Sequence, residues 1–390
     1  MRFGTHLSAR KIRRKLDASG PLDTGRAGVE LLSRKLVFTP LFATLFERGY
    51  PPSIPRHRLL DESETFRPEP IDSSATDAAF DEDRFVTLVP GGRILAGSGA
   101  IFTGEGELVV ESLSPSADRS AYTTIPLIDH LFRDGPRFVT DIFTGDVHSL
   151  RPADDSTGLL CPLIPRYRNY YHWTIETLPK LRLLDAFGDE TGREPTLLVP
   201  ADPPAWMRDS LRLLGGEDFP IRHAREPVYD ADPTVVPSFA GTVTGAEHRW
   251  FKRQTSGLRG DADTDRSRRI YVSRAGARER RVHNDDAVLD ALDDYGFEPY
   301  RLEELPVAEQ VRLFAEAEAV VGPHGAGLSN IVYSDDVAVV ELFGSNVKTN
   351  FARIAEAAGF EYHRLEGRQD GPDIEVDVSR LRETVEQIVD

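Results

Sequence analysis

The chain is short of cysteine, lysine and methionine, and it has no long apolar run. Cys161 is the single cysteine among 390 residues, which excludes an intrachain disulfide and any multi-cysteine metal site. It lies in Leu159-Leu160-Cys161-Pro162-Leu163, the setting of a small buried hydrophobe rather than of a reactive thiol. No stretch approaches the ~18 consecutive apolar residues of a membrane-spanning helix, and no basic-then-apolar leader opens the chain. A soluble, cytoplasmic protein is the expectation. The H-E-x-x-H pattern is missing as well. The D-x-D pairs Asp81/Asp83, Asp230/Asp232, Asp261/Asp263 and Asp263/Asp265 follow no long apolar strand, and the run from Asp261 to Asp265 carries Arg266 where a calcium loop needs glycine. Neither a metal nor a cofactor is expected.

What is present begins with core-forming residues. Apolar residues make up 40% and aromatics 9%, which excludes general disorder, and the length suits two or three domains at roughly 150 residues each. Acidic residues number 64 against 47 basic, for a net charge of −17, the wrong sign for a nucleic-acid partner. Six of the 47 basic residues are lysines, leaving 41 arginines. Acidic, lysine-poor and arginine-rich composition points to a halophilic source or to a GC-rich one.

Residues 1–80 read as an extension and linker. From residue 10 to 46 the chain combines lysines 11, 15 and 35 with apolar residues at helical spacing, among them Val29, Leu32 and Leu36. Peripheral contact with the inner face of the membrane and a solvated helix packed on the body are both open readings. The Pro-, Ser- and acid-rich stretch from Pro51 to Thr76 reads as linker. Residues 84–150 show short apolar runs between glycine turns, a β-hairpin pattern. After residue 159 helix and strand patterns alternate, and from 268 the alternation is regular. There, strands are expected at Arg269–Ser273, Phe297–Leu302, Ala319–Gly322, Val337–Phe343 and Tyr362–Leu365. Helices are expected from Asn284, which would cap the first, from Pro306 through Glu318, from Leu328, and from Phe351 to Ala358. Such alternation predicts parallel βαβ units and a doubly wound α/β sheet, with ligands beyond the carboxyl ends of its strands. The boundaries expected are 81–245 for an N-terminal domain and 246–390 for a C-terminal one.

Three segments carry chemistry. Gly322-Pro323-His324-Gly325-Ala326-Gly327-Leu328-Ser329-Asn330 joins an expected strand to an expected helix. Its glycines would admit a ligand to the backbone, and the helix N-terminus would offer free N–H groups to a phosphate. His324 could donate to a phosphate or a leaving group, and a tight structural turn reads the segment equally well. The spacing is not the dinucleotide fingerprint, which leaves an NAD-binding Rossmann protein as the weaker alternative. Ser273-Arg274 ends the strand before, with Arg278, Arg280 and Arg281 close behind, so paired N–H donors could hold a diphosphate. Glu341, late in its strand, could accept from ribose hydroxyls. The third segment is Asn169-Tyr170-Tyr171-His172-Trp173-Thr174-Ile175-Glu176-Thr177-Leu178-Pro179-Lys180. On a helix of 3.6 residues per turn Asn169, His172, Glu176 and Lys180 share an arc of roughly 80°, backed by Tyr171, Ile175, Leu178 and Leu181. His172 and Glu176 at i, i+4 suit a general base with an orienting carboxylate. A core histidine satisfied by its neighbour is the other reading.

Taken together and in order, Asn169–Lys180, Ile270–Arg274 with Arg280–Asn284, Gln310, Gly322–Asn330 and Val340–Leu342 resemble glycosyltransferase family 61, which includes plant xylosyl- and arabinosyltransferases and animal O-GlcNAc transferases. The resemblance covers about 84 to 365. It implies a GT-B architecture, two Rossmann-like halves facing across a cleft, here with a β-rich addition in the N-terminal half. It implies an inverting, metal-independent transfer from a nucleotide-diphosphate sugar to a glycan, lipid-linked or protein acceptor. The donor would bind through Ser273, Arg274, Arg281, Gly322, His324, Gly325, Ala326, Gly327, Asn330 and Glu341. Asn169 and Tyr171 would face the acceptor, with His172 and Glu176 catalytic. A non-catalytic nucleotide- or glycan-binding protein of the same fold is the main alternative.

Overall fold

The computed structural model describes residues 56–57, 65–66, 84–97, 99–104, 108–109, 158–165, 167–226, 228–238, 241–259 and 267–389. The expectations for residues 10–46 and for the acidic run 260–265 lie outside these. Two short strands, β1 (Arg56–His57) and β2 (Thr65–Phe66), fall in the stretch expected to be linker. They pair with strands of the body, which corrects that expectation. The hairpin region supplies β3 (Val86–Val89), β4 (Gly92–Leu95), β5 (Ala100–Phe102) and β6 (Leu108–Val109). Then come β7 (Leu160–Pro162), α1 (Lys180–Thr191), β8 (Thr196–Pro200), α2 (Ala205–Leu213), β9 (Ile221–Ala224), β10 (Val228–Ala231) and β11 (Thr234–Pro237). Two sheets result, ordered β1-β6-β5-β4-β10 and β2-β3-β11-β7-β8-β9. In the second, β11, β7, β8 and β9 run parallel, while β3 and β2 extend it antiparallel. The regular alternation of a doubly wound sheet is thus confined to part of this half.

The rest of the chain forms α3 (Gly245–Gln254), β12 (Arg268–Val272), α4 (Asp285–Asp293), β13 (Phe297–Tyr300), α5 (Val307–Ala315), β14 (Ala317–Pro323), a 3₁₀ helix (Ala326–Tyr333), β15 (Ala338–Phe343), α6 (Asn350–Ala358) and β16 (Tyr362–Glu366). A hairpin, β17 (Arg368–Asp370) and β18 (Asp373–Glu375), leads to α7 (Val378–Val389). Strands β12 to β16 make one parallel sheet, ordered β13-β12-β14-β15-β16. β15 is buried along its whole length, as expected for a parallel strand covered on both faces.

Three local expectations are corrected. α5 stops at Ala315, and Glu316–Glu318 turn into β14 rather than continuing the helix. The Glu-Ala alternation favours helix, but pairing captures it: Ala317 and Ala319 register with Arg268 and Arg269, whose guanidinium groups bind Glu316 and Glu318. Asn284 stands at the start of α4 without capping it, because its side chain grips the backbone of Val376 on both sides, Nδ2 donating at 2.8 Å and Oδ1 accepting at 2.9 Å. The helix expected from Leu328 is the tighter 3₁₀ form, with every side chain from Leu328 to Tyr333 buried.

One apolar core takes Trp173, Leu181 and Leu197 from the N-terminal elements and Ile270, Leu328 and Phe351 from the C-terminal ones. α2 packs on α5, and α3 on α6 and on the 3₁₀ helix. α3 is fixed to both parts. Glu247, in a capping box with Thr244, is buried and binds Arg84 at 2.8 Å and Arg182 at 3.7 Å. Burial pushes its carboxyl up, but the two guanidinium groups outweigh it and hold Glu247 below the usual carboxylate range. One residue on, His248 Nε2–H donates to the carbonyl of Ser334 at 2.9 Å. Among the described residues no helix is long and apolar enough to cross a membrane.

Candidate active site

The strand order of the C-terminal sheet places a topological switch between β12 and β14. From β12 the chain moves outward to β13, then crosses back to β14 and continues the other way. At such a point the loops after the two strands diverge and leave a crevice where ligands bind. Ser273-Arg274 follows β12, and the glycine loop follows β14, so two of the three segments singled out in the sequence flank the switch. Arg274 lies against the loop itself: a Cβ on Gly325 would stand 2.3 Å from Arg274 Nη1. The other edge of the guanidinium is held by backbone, Nε donating to the carbonyl of Arg280 at 3.2 Å and Nη2 to that of Glu279 at 3.0 Å. Arg280 takes up the left-handed conformation (φ 60°), uncommon for a residue with a side chain. Burial lowers the Arg274 pKa, with Arg280 adding to the effect, yet an arginine stays charged.

The other glycines have a different cause. A Cβ on Gly322 would meet Val272 at 2.9 Å, and one on Gly327 would meet Leu302 at 3.0 Å. Packing against β12 and its neighbours, rather than ligand approach, requires them. Gly325 is the position where loop and guanidinium meet. Ala326, half-buried, opens the 3₁₀ helix.

The His172 segment is not a plain α-helix. Asn169 Oδ1 accepts from the backbone N–H of His172 at 3.0 Å, a capping bond. From His172 to Thr177 the turn then widens to a π-helix, with Leu178 N–H reaching the carbonyl of Trp173 at 2.9 Å. Thr177 Oγ1 donates to the carbonyl of His172 at 2.9 Å. Pro179 has no N–H to extend the ladder, and α1 restarts at Lys180. His172 and Glu176 still meet, Nδ1 to Oε2 at 2.6 Å, while Ile175, Leu178 and Leu181 are fully buried behind them. Lys180, expected on the same polar arc, is instead buried, and burial lowers its pKa.

His324 forms a second histidine–carboxylate pair. Its Nδ1 lies 2.5 Å from Glu341 Oε1, and Tyr362 O–H donates to Glu341 Oε2 at 2.6 Å. Glu341 is fully buried, and each of its oxygens already has a partner, so the ribose contact expected of it would need this side chain to become exposed. The imidazole stacks on Phe343 (5.3 Å, 21°) and lies 5.5 Å from the ring of Phe351. Phe351 in turn meets Tyr171 edge-on at 5.7 Å, and Tyr171 meets His172 at 5.3 Å. Two aromatic rings therefore separate the two histidines, and residues from both parts of the chain converge here.

Other expected residues are used elsewhere. Arg281 turns to the β17–β18 hairpin, where Nη2 binds Asp373 Oδ2 at 2.5 Å. Asn330 is fully buried, accepting from Tyr170 O–H at 2.6 Å and donating to Gln310 Oε1 at 2.8 Å. It joins the two parts of the chain rather than offering a contact to a ligand. Ser273 is buried and accepts from the N–H of Ala275 at 3.3 Å. Tyr362 and Phe351 were not singled out in the sequence. Tyr362 enters the site only through the neighbouring strand, and Phe351 reads as one apolar residue of an amphipathic helix. Among the described residues no cluster of three or more His, Cys, Asp or Glu could hold a metal ion.

Fold and site together define the class: an α/β protein whose parallel sheet reverses its strand order between β12 and β14, with the His172–Glu176 and His324–Glu341 pairs linked through the rings of Tyr171 and Phe351. Residues 170–340 match the family described as Glycosyltransferase 61. The matched segment holds His172, Glu176, Arg274 and the whole glycine loop, and ends one residue before Glu341. No curated protein matches the chain.

Proposed function

We propose that this protein is an inverting glycosyltransferase. It moves a sugar from a nucleotide-diphosphate donor to a hydroxyl of a glycan, lipid-linked or protein acceptor, across a GT-B-type cleft. The observation that carries this reading is that only two aromatic rings stand between His172, paired with Glu176, and His324 of the switch-point loop, on which Arg274 packs at Gly325. Glu176 on Nδ1 fixes the ring so that Nε2 presents a lone pair. Nε2 takes the proton of the acceptor hydroxyl as its oxygen forms a bond to the anomeric carbon. The bond from that carbon to the diphosphate oxygen breaks on the opposite face, and its electron pair leaves with the diphosphate. Arg274 and the N–H groups opening the 3₁₀ helix at Ala326 receive that charge. Those cations and dipoles supply charge stabilisation of the kind a metal would otherwise provide, so the reaction is expected to proceed in excess chelator.

The test begins with a thermal-shift screen against UDP-, GDP-, CMP- and dTDP-sugars, followed by transfer assays with the donor that binds. Removing a general base costs ~10²–10⁴ in rate. His172→Ala should lower turnover by that order and leave nucleotide affinity within about twofold, since the nucleotide lies on the other part of the chain. An unmutated protein that binds a nucleotide but transfers to none of a broad acceptor panel would leave a binding protein of the same fold. Equal turnover in His172→Ala would remove this residue as the base.

A further inference from the structure

We propose that Tyr167 sets acceptor specificity: its ring is a platform on which the apolar face of a pyranose lies while one hydroxyl of that sugar meets His172. The acceptor is then a carbohydrate. The inference rests on the transferase reading above. The N-terminal sheet has a reversal of its own. From β7 the chain moves outward to β8 and β9, and it returns on the other side of β7 as β11, all four strands parallel. In parallel sheets ligands bind beyond the carboxyl ends of the strands at such a reversal. Tyr167 stands on the segment that follows the carboxyl end of β7, and that segment leads into His172.

Tyr167 is 43% exposed. A single exposed ring means nothing by itself; its position does. Its centroid lies 4.9 Å from that of the His172 imidazole, with the two planes inclined by 44°. Two hydrogen bonds fix this offset. Asn169 N–H donates to the Tyr167 carbonyl at 2.8 Å, and Asn169 Oδ1 accepts from His172 N–H at 3.0 Å. The His172 side chain is itself 24% exposed. The two residues expected to face the acceptor serve otherwise: Asn169 holds this turn, and half-buried Tyr171 lies edge-on to both His172 and Phe351. Tyr167 is the exposed ring beside the base.

The chemistry of this pair selects the acceptor. Whatever covers Tyr167 must offer apolar C–H groups to the ring and, close by, a hydroxyl to His172 Nε2. A pyranose does both, with C–H groups on its faces and hydroxyls at its rim. An alkyl chain has no hydroxyl beside its apolar surface. Among the described residues the other exposed large apolar side chain is Ile221, on the edge strand β9, so among them no apolar trough continues from Tyr167 to hold such a chain. A serine or threonine hydroxyl reaches a base on a short side chain and needs no platform beneath it.

With the donor that binds best in the thermal-shift screen, the full chain is assayed against a broad panel of pyranose oligosaccharides, a long-chain alcohol in detergent micelles, and serine- and threonine-containing peptides. Transfer is expected to an oligosaccharide. Tyr167→Ala should raise the KM for that acceptor about tenfold or more, the scale of stacking one ring on an aromatic side chain, with kcat and the donor KM changed less than about threefold. Tyr167→Phe, which keeps the ring, should recover most of that loss, and Tyr167→Leu, apolar but not flat, should not. Three results overturn this inference alone and leave the transferase reading standing: a wild-type acceptor KM in Tyr167→Ala, a fall in its kcat at unchanged acceptor KM, or transfer by the unmutated protein to the alcohol or the peptides but to no oligosaccharide. A protein that binds no nucleotide, or binds one and transfers to none of the panel, overturns the transferase reading and this inference with it.

Discussion

The thiol of Cys161 is fully buried on β7, and burial pushes its pKa up to about 12. The apolar neighbours in the sequence already point that way. A thiol reagent should leave the native protein unlabelled over an hour at pH 8 and modify one thiol after denaturation; rapid labelling of the native protein would contradict this burial. Other single residues are legible to different degrees. His172 and Glu176 can be paired from sequence because they are four apart on one helical element. His324 and Glu341 cannot, because their contact depends on β14 lying beside β15. Tyr362 reaches Glu341 only because β16 is the next strand. Arg281 was grouped with Arg274 by closeness in the chain, yet its partner Asp373 lies 92 residues away. Asn330 follows the glycines in sequence, but its partner Tyr170 comes from the other part of the molecule.

At the scale of elements, regular patterns are readable and irregular ones are not. The buried apolar strands β14 and β15 and the helix before Gly359 stand out by periodicity and punctuation. The π-turn at His172 does not, since its pattern of apolar residues also fits 3.6 residues per turn. The segment that joins the two parts of the chain, α3, is equally hidden, because its role depends on Glu247 and His248 finding partners far along the sequence. His248 is buried against Ser334, and burial lowers its pKa from 6.5 to about 4, with the Ser334 hydrogen bond opposing and Lys252 and Arg259 assisting. Between those values the unfolded chain holds a proton that the folded one does not. Its contribution is therefore complete above pH 6.5 and is lost as pH falls toward 4, up to about 3 kcal/mol. Denaturant unfolding at pH 7 and pH 4.5 should show His248→Gln losing about 2 kcal/mol less than wild type over this interval. Parallel losses would mean that His248 is not the group that titrates.

For the whole molecule, alternation after residue 268 fixes a doubly wound parallel sheet, and the structure adds its order and therefore its switch point. The N-terminal part is less legible, because short strands from the supposed linker and hairpin region extend it antiparallel, and strand pairing leaves no local mark in such segments. The shared core is less legible still: apolar spacing shows that a face is buried but not which element covers it. The central claim is that the switch point between β12 and β14 holds a nucleotide diphosphate through Arg274 and the loop at Gly325. Calorimetry of Arg274→Ala against the tightest-binding nucleoside diphosphate tests it most directly. Loss of one charge-assisted contact predicts a drop of ~1.5–3 kcal/mol, roughly 10- to 150-fold in affinity, with an unchanged circular dichroism spectrum. Affinity equal to wild type in a folded Arg274→Ala protein would contradict the assignment.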